Sequence, residues 1–194
     1  MPDMILPGLV IYLLGAAGGL ALVAASPLPA ALFWGIGIVL HLGLAAAELS
    51  GRFGIPVFSG MEGDIRHLAF TLGPISFALG AVFSLIIPGN SRKLTLFTGI
   101  GLAILIAAAL DRLPVGTLPL PLILLGVLLV AVLVGLRYRP VPGRWLLLAL
   151  VMAALAELAR YRYLGMIPIA PAAVADGFFG VALAAFGMTA NRTR

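Results

Sequence analysis

The chain contains no cysteine. Disulfide frameworks, thiolate metal sites, cysteine nucleophiles and iron–sulfur clusters are therefore all excluded. Histidine occurs twice, at His41 and His67, too few for a multi-histidine metal centre, so no metal site is expected. Charge is scarce as well. Asp, Glu, Lys and Arg together make up 10% of the 194 residues, whereas a soluble domain carries roughly a quarter. A water-soluble fold of this size could not cover its surface with so few charges. With 62% hydrophobic residues and a mean hydropathy of +1.19, the covering solvent has to be lipid.

What the sequence does contain is a series of apolar runs. A spanning helix needs about 20 mostly apolar residues, and seven segments qualify, at about 6–25, 28–50, 67–87, 94–110, 118–136, 145–164 and 167–189. The predicted fold is an all-α, polytopic, seven-transmembrane-helix bundle, a single integral membrane domain over residues 1–194. Proline and glycine punctuate it at Ser26-Pro27-Leu28-Pro29, at Pro88-Gly89-Asn90-Ser91, at Pro114, Pro119 and Pro121, at Pro140-Val141-Pro142-Gly143, and at Gly165 with Pro168 and Pro171. Proline removes a backbone donor and restricts the residue before it, so helices stop there. Gly51–Arg66 reads as the one substantial loop. The first span has Asp3 and no Lys or Arg in its flank, which does not suit a secretory signal and is expected of a retained helix.

The net charge of +5 is spread over connections rather than gathered in a stripe, so it reads as topology and not as nucleic-acid binding. The side that carries Arg92, Lys93, Arg137, Arg139, Arg144, Arg192 and Arg194 has no acid. The other side has Arg52, Arg66, Arg112, Arg160 and Arg162 with Asp3, Glu48, Glu62, Asp64, Asp111 and Glu157. Counting Lys and Arg puts the N-terminus outside and the C-terminus in the cytoplasm of a cell whose inner membrane holds the protein.

Chemistry concentrates at the ends of the even-numbered spans. Span 2 closes with Glu48 and Arg52, span 4 with Asp111 and Arg112, and span 6 with Glu157, Arg160 and Arg162. Spacing lets Glu48 meet Arg52 at i, i+4 and Glu157 meet Arg160 at i, i+3. These groups are either interfacial pairs that neutralise one another among headgroups or the walls of an outward-facing polar vestibule. Asp176 lies about nine residues into span 7, roughly 13 Å below its start. An intramembrane carboxylate there needs a proton or a cation from another helix, with His41 and Arg160 nearest in depth, or else serves as packing glue. His41 lies midway along span 2, and His67 opens span 3 beside Arg66, Asp64 and Glu62, at the rim of the long loop.

Other features concern packing. Gly15 and Gly19 form a GxxxG pair with Gly18 alongside, and Gly180 and Ala184 repeat the small-xxx-small spacing. Pro74 should kink span 3. Ser76 and Ser84 can bond across helices, and Trp34, Trp145 and Tyr138 read as an interfacial aromatic belt. Span 7 has no lysine for a retinal Schiff base, and no Gly-x-Ser-x-Gly elbow, His-Glu-x-x-His helix or phosphate-binding lysine loop is present. These absences point away from a stand-alone enzyme.

Ala47-Glu48-Leu49-Ser50-Gly51-Arg52-Phe53 resembles the Gly-Glu-Leu-x-Gly-Arg helix end of the quinol-oxidising membrane anchors of molybdopterin reductases. The stretch Ala156-Glu157-Leu158-Ala159-Arg160-Tyr161-Arg162-Tyr163 is similar to it, and His41-Leu42-Gly43 resembles a His-Leu-Gly of the same anchors. That resemblance spans about 20 residues and implies quinone as ligand and membrane or peripheral complex subunits as partners. From the residues themselves, the expected function is a carrier or channel-like protein for a small polar or amphiphilic solute, without cofactor. Asp176, His41, Glu48, Arg52, Glu157, Arg160, Asp111 and His67 are its candidate ligand or proton-coupling residues. A structural or assembly subunit, or a lipid-handling enzyme, is the third class.

Overall fold

A computed structural model describes residues 5–26, 30–55, 61–87, 93–109, 120–160 and 171–193. These fold into seven α-helices: α1 (Ile5–Ala24), α2 (Ala30–Arg52), α3 (Glu62–Ala81), α4 (Lys93–Ala109), α5 (Leu120–Tyr138), α6 (Pro140–Arg160) and α7 (Pro171–Asn191). Of the seven expected spans, five meet the length and apolarity that crossing a membrane requires: α1, α2, α3 with its continuation to Ile86, α6 and α7. The described parts of α4 and α5 hold shorter apolar stretches, Phe97–Ala108 and Ile123–Tyr138. Large apolar side chains such as Leu14, Ile106 and Leu133 point outward, as expected for helices that lipid surrounds.

Two stretches expected as connections are helical. Pro140-Val141-Pro142-Gly143 forms the first turn of α6, so Arg139 alone separates α5 from α6. Proline suits a first turn because its fixed φ is already helical and its missing N–H would have had no partner there. Gly143 then packs against Gly135 so closely that a Cβ at Gly135 would lie 2.9 Å from the Gly143 Cα. The long loop is also shorter than expected, because α3 begins at Glu62. Glu62 and Asp64 in its first turn complement the positive end of the helix dipole. α3 remains helical through Pro74 and ends in a π-helical turn, Val82–Ile86, where the Ile87 N–H reaches the Val82 carbonyl at 2.9 Å.

In lipid, helices associate by close packing rather than by expulsion of water, so small residues set the seams. α1 and α7 run parallel, with Gly8 against Ala173, Gly15 against Gly180 and Gly19 against Leu183. From α7, Gly180 meets Ile11 and Tyr12 while Gly187 meets Gly19, so Gly180, Leu183 and Gly187 lie along this seam. Gly18 meets nothing within 4 Å and faces away.

α2 and α3 run antiparallel and interlock large against small: Trp34 on Gly80, Phe77 on Gly37, and His41 on Gly73. Trp34 is therefore fully buried and not part of an interfacial belt, while Tyr138 is 71% exposed. The Trp34 indole N–H donates to Ser84 Oγ at 2.8 Å. Arg139 ties the same end of the bundle by donating to the carbonyls of Ser84 at 3.2 Å and Thr193 at 3.3 Å. Among the described residues, the buried Ser76 hydroxyl has no hydrogen-bond partner.

Candidate polar vestibule

At the end of the bundle away from Arg139, the C-terminal turns of α2 and α6 meet the N-terminal parts of α1, α3 and α7. They enclose a cavity of about 610 Å³. Its polar lining is Tyr12 from α1, Glu48 and Arg52 from α2, Glu62 and Arg66 from α3, Arg160 from α6 and Asp176 from α7. Arginine in the last turn of α2 and of α6 sits favourably at the negative helix end.

The Glu157–Arg160 pair is as spacing along one helix suggests, whereas the pairing of Glu48 differs. Glu48 does not pair with Arg52. It bonds Arg66 of α3 at 2.7 Å, and the same guanidinium nitrogen bonds Glu62 at 3.0 Å. The antiparallel packing of α2 on α3 brings Arg66 within reach, and an arginine that two carboxylates hold has no counterpart in a single-helix count. Glu157 and Arg160 meet at 3.3 Å. The Arg160 guanidinium also lies over the ring of Phe70, 4.8 Å from its centroid, and near that of Phe179 at 6.0 Å. Among the described residues, Arg52 and Asp176 form no ion pair.

Beneath the cavity lies a buried polar contact. Tyr12 lines the cavity, and its hydroxyl lies 2.8 Å from His41 Nδ1. His41 is 1% exposed and is boxed in by aromatic rings. Phe77 stacks parallel to it at 5.9 Å, Phe179 lies at 4.7 Å, and Phe70 stands edge-on at 5.9 Å. Trp34 and Phe186 extend this aromatic cluster along the core.

The candidate residues thus fall into groups. Glu48, Arg52, Arg160 and Asp176 line one cavity. His41 touches that cavity's wall through Tyr12 and is not itself a lining residue. Glu157 contributes through its bond to Arg160. His67 lies on the exposed first turns of α3, not on a loop rim, and is not a lining residue. Asp111 and Arg112 lie outside the described residues. Asp176 sits five residues past Pro171, where the described part of α7 starts, about 7.5 Å along the axis by helical rise; Ile167 lies outside the described residues.

Tyr12, Glu62 and Arg66 are the lining groups that the sequence reading did not single out as a site. Tyr12 had a visible signal, a phenol in an otherwise apolar first span. Arg66 had the i, i+4 spacing from Glu62. Among the described residues, no three His, Asp or Glu side chains converge in a way that would hold a metal ion. The chain matches no protein-family model, no curated protein and no solved structure.

Proposed function

We propose that this membrane protein is a carrier or channel-like protein for a small polar solute, and that the cavity between α1, α2, α3, α6 and α7 is its binding vestibule. In this reading α4 and α5 cross the membrane as well, giving seven spans. The N-terminus and the vestibule face outward, and the Arg-rich end with Arg137, Arg139 and Arg144 faces the cytoplasm across an inner membrane. The observation that carries the reading is the cavity itself. It has room for a small metabolite, charges of both signs, and a place at the end of the bundle opposite the one where Arg139 links the end of α3 to the end of α7. Interfacial pairs that only anchor helices among headgroups have no need to enclose a space. Asp176, half-buried at its wall, is the proton or cation partner of the solute.

The test is uptake by the purified protein in proteoliposomes, against a panel of amino acids, sugars, amines and carboxylates. Wild type should take up at least one class. Asp176→Asn should keep the wild-type thermal stability, since the amide preserves shape and hydrogen bonding, yet lose uptake. No uptake of any class, or full uptake by Asp176→Asn, contradicts the proposal. A second reading, a quinol-interacting anchor subunit, draws on Glu48 and Arg52. These residues of the helix end that resembles such anchors both line the cavity. Bound quinone or stoichiometric partner subunits in the purified material would favour that reading instead.

A further inference from the structure

The pairing pattern inside the vestibule narrows what it can hold. Three cations and three carboxylates line the cavity. Arg66 is held by Glu48 and Glu62, and Arg160 is held by Glu157. Among the described residues, two lining groups of opposite sign are left without an ion pair, Arg52 and Asp176, on different helices. Arg52 is exposed and Asp176 half-buried, so both are accessible to a ligand that carries the opposite charges. We infer that the vestibule takes a small zwitterion, with a carboxylate or phosphate on Arg52 and a primary ammonium on Asp176. The guanidinium fork suits a two-oxygen anion, and a carboxylate accepts the N–H donors of a primary ammonium. A quaternary ammonium has no such donors and is bound by aromatic cages instead. Here the rings of Phe70 and Phe179 already carry the Arg160 guanidinium, which leaves Tyr12 as the aromatic in the lining.

The inference deepens the vestibule reading and rests on it. An α-amino acid and a phosphoethanolamine headgroup share the required chemistry. The probes that tell these sources apart are L-serine and glycerophosphoethanolamine, with glycerophosphocholine and glycerol 3-phosphate as controls. All four are titrated against the full chain in nanodiscs of phosphatidylglycerol, which lack ethanolamine lipid.

We expect one or both zwitterions to bind at least about tenfold more tightly than either control, because each control lacks the N–H donors that Asp176 accepts. Serine binding marks a free amino-acid solute, and binding of glycerophosphoethanolamine alone marks a lipid headgroup. Asp176→Asn should reduce zwitterion affinity about tenfold or more and bring it level with glycerol 3-phosphate. Arg52→Gln should weaken both anionic groups alike. If either variant fails to fold, the selectivity of wild type against the controls decides alone. Binding of neither zwitterion, or binding of glycerol 3-phosphate or glycerophosphocholine as tightly as the zwitterions, overturns the inference. Uptake of a solute without an ammonium group would leave the carrier reading standing and end this one. Selective zwitterion binding without uptake of any solute would do the reverse.

Discussion

The Tyr12 hydroxyl is the contact through which the vestibule reaches the protein interior. Its partner, His41 Nδ1, is buried among aromatic rings and has no water to fall back on. Tyr12→Phe removes one oxygen and leaves the ring in place against Phe179. We predict a loss of about 1–3 kcal/mol in unfolding free energy, the cost of stranding a buried polar group, read as a lower melting temperature in detergent. An unchanged melting temperature would show that the contact does not hold the wall. Individual residues were only partly legible in the sequence. Asp176, Glu48, Arg52 and Arg160 stood out because charge is costly inside lipid. Spacing also gave the Glu157–Arg160 pair, but the partner of Glu48 did not stand out, because i, i+4 arithmetic sees one helix at a time and Arg66 arrives from a neighbouring one. Trp34 was misplaced for a related reason. Tryptophan favours the interface on average, but a glycine opposite at position 80 makes room for its ring in the core.

Helices were the most legible elements, because hydropathy over twenty residues is a strong signal. Their ends were less so. Pro140-Val141-Pro142-Gly143 reads as a turn by composition but forms the first turn of α6, since proline breaks a helix interior and not its start. The GxxxG signal on α1 located a seam without identifying its orientation. Gly15 and Gly19 face α7 and Gly18 does not. This contrast predicts opposite responses to the same substitution. Gly15→Ala drives a methyl into the Gly180 backbone, so the two helices have to separate. It should cost about 1–3 kcal/mol, as overpacking does. At Gly18→Ala the methyl meets nothing within 4 Å and helix propensity improves by up to about 1 kcal/mol, so stability should stay level or rise. Chemical unfolding in mixed micelles measures both, and equal effects would contradict the parallel α1–α7 packing.

At the scale of the whole molecule, charge is segregated along the bundle. One end has Arg139 bridging the π turn of α3 to the end of α7. The other has a cavity with Tyr12 and Asp176 on its wall. Membrane residence was readable from the scarcity of charge, and a vestibule at the charged helix ends was one of two readings, but its full lining was not legible, because five helices from both halves of the chain build it and no local pattern encodes their meeting. The central claim is that Asp176 faces water from outside the membrane rather than lipid. The absence of cysteine makes that directly measurable, since a single introduced thiol is the only one present. In right-side-out vesicles treated with a charged, membrane-impermeant thiol reagent, Asp176→Cys should be modified, while Gly18→Cys on the outward face of α1 should remain unreacted. An Asp176→Cys thiol as inert as the one at position 18, or one that reacts only in inverted vesicles, would contradict the account.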